Sequence, residues 1–202
     1  TKNVNQIVLP IESFETKKES KKDFLIRFLK NEQSLINAII FCNRKKEVSY
    51  LSGFLKTNNL QAGAIHGDLD QKDRMEMVKN FKDGYLKYLV ASDVAARGID
   101  IPNVSHVINF DVPLNPEDYV HRIGRTGRAG KKGTAITIVQ EKEKALISNI
   151  EVLINEKIQP TNKGWPKPIA KTSKMNKKKT IANPQPADKA ENQLPDFLFT
   201  KF

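Results

Sequence analysis

Six short apolar runs, each parted from the next by an amphipathic or polar segment, leave this chain few folds to adopt. They are Ile7-Val8-Leu9, Ala38-Ile39-Ile40-Phe41, Ala62-Gly63-Ala64-Ile65, Tyr88-Leu89-Val90-Ala91, Val107-Ile108-Asn109-Phe110 and Ala135-Ile136-Thr137-Ile138-Val139. Runs this short and continuous read as strands buried on both faces. The segments between them carry helical spacing. Ser20 with Asp23 makes a capping-box pattern before a helix with Phe24, Leu25, Phe28 and Leu29 on one face. Val48, Leu51 and Leu55 mark a second helix, and Met75, Val78 and Phe81 a third that stops near Gly84. A long last helix is expected over residues 145–158, with Leu146, Ile150, Leu153 and Ile154 inward. This alternation predicts an α/β domain: a parallel sheet with helices on both faces and ligands at the carboxyl ends of its strands.

The expected domain covers residues 1–158. From Gln159, six prolines punctuate a Lys-rich stretch too poor in large apolar residues to repay its ordering, so residues 159–202 are expected to be a disordered basic tail. The formal charge of the 202-residue chain is +11, and residues 161–202 hold nine Lys against three acids. That excess favours an anionic partner, nucleic acid being the commonest. Lys177-Lys178-Lys179 reads equally as an RNA contact or as solubilising charge, and Leu194 to Phe199 as a docking motif for a protein or as chance composition. Cys42 is the sole cysteine, which excludes an intrachain disulfide or a Cys-based zinc site and suits a reducing compartment. No metal-ligand spacing and no spanning or signal segment is visible, so the expectation is a cytoplasmic protein with no membrane and no metal site of its own. The first residue is Thr1, which reads as part of a longer chain.

Four segments bear chemistry. His121-Arg122-Ile123-Gly124-Arg125-Thr126-Gly127-Arg128-Ala129-Gly130 sets three arginines at three-residue spacing among glycines, after a helix start at Asn115-Pro116-Glu117-Asp118 with Asn115 as cap. Arg122 and Arg125 then share a helical face, with Arg128 on the turn beyond, to meet phosphate or merely to make a basic helix end. In Gly67-Asp68-Leu69-Asp70-Gln71-Lys72-Asp73-Arg74, Asp70 caps a helix with Gln71 and Arg74 on its first face, an anion site or an ordinary charged helix start. In Ser92 to Asp100, Ser92 is a phosphate donor and Asp100 an acceptor for sugar hydroxyls, while Asp93 and Arg97, four apart, are expected to pair with each other. After Phe41-Cys42, Asn43 is a candidate cap, and Arg44 points at a phosphate or at solvent. No Gly-rich cradle ending in Lys-Ser/Thr is present.

Taken in order, Ala38 to Asn43, His66-Gly67-Asp68 with Gln71 and Arg74, Ser92 to Asp100, and His121 to Arg128 resemble the second RecA-like domain of DEAD-box RNA helicases. The resemblance covers nearly all of residues 1–158. It implies a RecA-like fold and the C-terminal half of an ATP-dependent RNA helicase, whose phosphate loop and Mg2+-holding acids lie in a preceding RecA-like domain. By that likeness Arg125 and Arg128 are arginine fingers on ATP and Asp100 accepts from its ribose. Asn43, Arg44, Gly67, Gln71, Arg74 and Ser92 match positions that hold RNA backbone. His121 and Arg122 couple the two sites. Bacterial RhlE-type members are the subgroup it brings to mind. Two positions depart from the family, which usually has Thr where Ser92 stands and often Thr where Arg44 stands. Ser92 keeps the hydroxyl; Arg44 replaces a short hydrogen bond with a longer charged reach. Two other functions compete: a non-catalytic RNA-binding adaptor, and a DEAH-type helicase, where Gln commonly stands in place of His121.

Overall fold

The computed structural model describes residues 3–11 and 20–160. They fall in one compact unit, Thr1–Pro168; a second, Ile169–Phe202, lies outside the described residues, as do the lysine run and the apolar end of the tail. The strands are β1 (Val4–Ile11), β2 (Ala38–Phe41), β3 (Ala62–Ile65), β4 (Tyr88–Ala91), β5 (His106–Asn109), β6 (Gly133–Gln140) and β7 (Gln159–Pro160). The helices are α1 (Lys21–Asn31), α2 (Lys45–Thr57), α3 (Gln71–Lys82), α4 (Asp93–Ala96), α5 (Pro116–Ile123) and α6 (Lys144–Ile154). The strands pair in the order β3-β4-β2-β5-β6-β1-β7, parallel throughout. This is the expected parallel sheet. No helix among the described residues is long and apolar enough to cross a membrane.

Alternate residues of β2 show how the sheet is covered. Ala38 and Ile40 join Leu25, Phe28 and Leu29 of α1 and Val48, Leu51 and Leu55 of α2. Ile39 and Phe41 face the other way, onto Val78 and Phe81 of α3 and Ala95 and Ala96 of α4. On that second face, farther along the sheet, Tyr119 and Ile123 of α5 pack with Ile147 and Ile150 of α6. Thus α2 leaves β2 on one face while α4 leaves its neighbour β4 on the other. Diverging helices open a crevice above the carboxyl ends of those strands.

Local signals set most of the ends. The capping box forms, with the Ser20 hydroxyl accepting from Asp23 N at 3.3 Å and the Asp23 carboxylate accepting from Ser20 N at 3.4 Å. Asp70 caps α3 by accepting from Asp73 N at 2.7 Å, and Gly84 turns the chain away with φ +82°. Several expectations need correction. Met75 is exposed, because α3 buries only a narrow stripe at Val78 and Phe81. The last helix stops at Ile154, where Asn155 takes a left-handed φ of 51°; this puts Ile147 in the core and leaves Leu153 half exposed. The chain then re-enters the sheet as β7, beside Ile7 and Val8.

The turn after α5 is held between two strands. Gly127, at φ +68°, backs onto Asn3 and Val4: a Cβ there would lie 2.6 Å from Val4 Cγ2 and 3.2 Å from the Asn3 carbonyl oxygen. Gly133 lies beneath the same turn, where a Cβ would meet Gly127 N at 2.6 Å and Thr126 Cβ at 2.8 Å. In an open strand Gly→Ala stabilises. Here it forces a rigid turn outward, and Gly133→Ala is expected to cost about 1–3 kcal/mol. A lower urea midpoint at unchanged slope is the check; an unchanged or higher midpoint refutes the close packing.

Candidate functional site

The arginine-glycine segment begins inside α5 and ends outside it. Pro116 sits in the first turn, where a missing N–H costs nothing, followed by Glu117 and Asp118. Asn115 makes no side-chain capping bond, contrary to expectation. One side of α5 buries Tyr119, Arg122 and Ile123, so Arg122 turns inward while Arg125, beyond the helix end, turns out. The shared face expected for the two does not form.

Arg122 is the most fully enclosed charge among the described residues, at 1% exposure. Its Nε and Nη2 donate to the two carboxylate oxygens of Asp93, each at 2.7 Å. Nη2 also donates to Asn43 Oδ1 at 2.7 Å, Nη1 to the Asp111 carbonyl at 2.7 Å, and the guanidinium lies 5.2 Å from the Phe41 ring centre. A bidentate, planar donor set of this kind is what Arg provides and Lys does not. Asp93 therefore pairs with Arg122 rather than with Arg97. Arg97 instead bridges Asp118 on α5. The reason is the shortness of α4, which ends at Ala96 before Arg97 can turn back onto Asp93.

Asn43 is committed to the same hub. Besides accepting from Arg122, its Nδ2 donates to the Val112 carbonyl at 2.9 Å, and its main-chain N–H to Asp111 Oδ2 at 2.9 Å. It does not cap α2; Arg44 stands at that position, exposed and with no capping bond. Asn43 and Ser92 line one groove of about 270 Å³ between the ends of β2 and β4, with Val94, Arg97, Leu114 and Asp118. Ser92 is nearly buried and makes no side-chain cap for α4, so its hydroxyl is left to the groove. Its N–H donates to the Ile65 carbonyl at 3.2 Å, tying the end of β4 to the end of β3. There the Arg74 guanidinium donates to the Leu69 carbonyl at 3.0 Å and the Gly67 carbonyl at 3.1 Å. Arg74 thus shapes the turn that presents Gly67 and Gln71, both exposed. Nothing lies within 4 Å of a Cβ built at Gly67, so that backbone is open to an approaching ligand.

Arg125 and Arg128 occupy a second groove, of about 350 Å³, with Arg97, Gly98, Val120, His121 and Gly124. Each guanidinium is braced on main chain. Arg128 Nε donates to the Gly124 carbonyl at 2.6 Å, and Arg125 reaches the Ile99 and Ala96 carbonyls at 3.4 Å each. The terminal amino groups of Arg128 have no partner among the described residues. Partial burial, then the neighbouring Arg128, lower the Arg125 pKa from its ordinary value, against the pull of Asp100. Asp100 is highly exposed, and Lys82 chiefly, then Arg128 and Arg125, hold its carboxyl below its ordinary value. His121 is exposed in the same groove. The sequence reading missed Arg97, which lines both grooves and so stands where they meet. Its only advance signal was its place after Ala95-Ala96 and before the φ +73° turn at Gly98.

Residues 20–130 match the family described as Helicase conserved C-terminal domain. The sequence is 46% identical over 153 residues to ATP-dependent RNA helicase CshA of Listeria monocytogenes, covering 75% of this chain and 29% of that protein. The chain belongs to the DEAD-box branch of this helicase family. Among solved structures, this DEAD-box domain is similar to the E. coli DEAD-box protein SrmB bound to regulator of ribonuclease activity A. That likeness has a TM-score of 0.71 and 36% identity, over 80% of this chain and 92% of that one. It is also similar to S. cerevisiae Dbp5 bound to RNA and ADP BeF3, with a TM-score of 0.72 and 32% identity over 82% and 43% of the two chains. The DEAD-box domain spans under a third of the length of the curated relatives it matches. Among those relatives the bacterial ones carry the name CshA, not the RhlE-type name expected.

Proposed function

We propose that the chain is the arginine-finger half of an ATP-dependent RNA helicase that opens short duplexes locally, working against a second RecA-like domain that carries the phosphate loop. The observation that carries this reading is the open groove lined by Arg125 and Arg128, braced from behind by main-chain carbonyls and with donors unspent, near enough to Asp100 for both guanidiniums to act on its carboxyl. Pure RNA binding gives no reason for two such arginines away from the Asn43 and Ser92 groove. ATP, with its Mg2+, supplies the phosphoryl group and fits this corner: Asp100 has a carboxylate oxygen for ribose hydroxyls, and the two guanidiniums offset phosphate charge. The holders of Mg2+ are assigned to the other domain, as the likeness to DEAD-box helicases implies.

Asn43, Arg44, Ser92 and Gly67 lie beyond the ends of the adjacent strands β2, β4 and β3, and with Gln71 and Arg74 in the first turn of α3 they form the RNA side. Ser92 and the exposed Arg44 meet phosphates directly. Asn43 and Arg74 act mostly by holding their loops in shape. Arg122, bonded to Asn43 and Asp93 at once, and His121 on the finger groove couple the two sides. The basic tail adds RNA affinity or takes a protein partner, and the protein works in the cytoplasm.

The test is a comparison of the chain alone with the chain joined to its ATP-binding domain. Alone, it binds single-stranded RNA without ATP, more weakly as salt rises, and turns over no ATP above background. Joined, it hydrolyses ATP faster with RNA than without. Turnover by the chain alone overturns the divided site, and a joined protein that binds RNA without hydrolysing ATP is an adaptor.

A further inference from the structure

The Lys82 ammonium, in the last turn of α3, donates to Asp100 Oδ2 at 3.0 Å. The two residues reach this contact from rigid ground. Phe81 anchors the end of α3 in the core, and Ile99 and Ile101 bury the backbone on either side of Asp100. The Asp100 side chain itself is 88% exposed, and its Oδ1 has no partner among the described residues. A carboxylate that open to water turns freely unless one oxygen is held. The ion pair is too exposed to contribute much to stability.

We propose that Lys82 is a positioning residue for the nucleotide, holding Asp100 by one oxygen so that the other is presented to the ribose hydroxyls. The inference rests on the reading of Asp100 as the ribose acceptor. Lys82 is also the chief cause that holds that carboxyl below its ordinary pKa. An ionised carboxylate accepts on both oxygens, so the bond to Lys82 and a bond to ribose are compatible.

The experiment uses the full protein that contains this chain and compares ATP with 2′,3′-dideoxy-ATP, which lacks both hydroxyls. Lys82→Met is expected to raise KM for ATP about three- to tenfold, the worth of one hydrogen bond, with little change in kcat. KM for the dideoxy nucleotide stays where it was, and Lys82→Arg restores the ATP value. An equal rise for both nucleotides overturns the proposal. A fall in KM for ATP overturns it as well, since it would make Lys82 a competitor of the ribose. Asp100→Ala separates the two layers of the argument. If that variant still prefers ATP over the dideoxy nucleotide as the parent protein does, the ribose reading of Asp100 is wrong. If it loses that preference and Lys82→Met keeps it, only the role of Lys82 is wrong.

Discussion

Arg125→Ala or Arg128→Ala, in the chain joined to its ATP-binding domain, lowers RNA-stimulated ATP hydrolysis on the order of a thousandfold. Binding of RNA without ATP changes little in either variant. Both arginines stand on a groove apart from the one shared by Asn43 and Ser92, so removing them leaves that groove intact. Their loss is felt in the transition state, where charge on the transferred phosphoryl group has lost its counter-charge. Arg125 also braces against the carbonyls of Ala96 and Ile99, and Arg128 against Gly124. These contacts are at the solvent edge, so the variants stay folded. Unchanged turnover in either variant ends the finger assignment; an equal loss of RNA binding points to a collapsed turn instead.

Arg122→Met is expected to damage the fold itself, by about 3–5 kcal/mol. The Met side chain fills part of the space but leaves the Asp93 carboxylate, Asn43 Oδ1 and the Asp111 carbonyl without their donor. Such a loss is a large share of what holds a domain together. Arg122→Lys recovers only part of it, because a point charge cannot serve Asp93 through two oxygens and Asn43 at the same time. Urea unfolding measures the loss, and a double variant with Asp93→Asn measures the coupling. The pair is coupled if the double variant loses less than the two single losses added. An Arg122→Met midpoint equal to that of the parent chain refutes the hub.

The contrast between these two arginine sites marks what the sequence made legible. Strands and caps are local, so the runs at Ala38 to Phe41 or Tyr88 to Ala91 and the caps at Ser20 and Asp70 could be read directly. The order β3-β4-β2 cannot be read that way, and it is the order that sets Ser92 beside Asn43. Ion-pair partners were the weakest reading. Asp93 and Arg97 are neighbours on any helical wheel, yet Arg122, far along the chain, is the partner of Asp93, because the fold brings the last turn of α5 to the start of α4. Likewise a helical repeat counts apolar residues without saying how wide the buried stripe is, which is why Met75 and Leu153 were misplaced.

The close approach of Gly127 to Asn3 and Val4 bears on how the proposed composite site assembles. The first strand enters the sheet directly against the turn that separates Arg125 from Arg128. Under the proposed function, a domain attached ahead of Asn3 is tethered next to the side chains it is proposed to meet. Over a short flexible linker, such tethering amounts to an effective concentration on the order of millimolar. On that proposal Arg125 and Arg128 need almost no affinity of their own for the nucleotide, and release after hydrolysis requires only that a weak contact be lost.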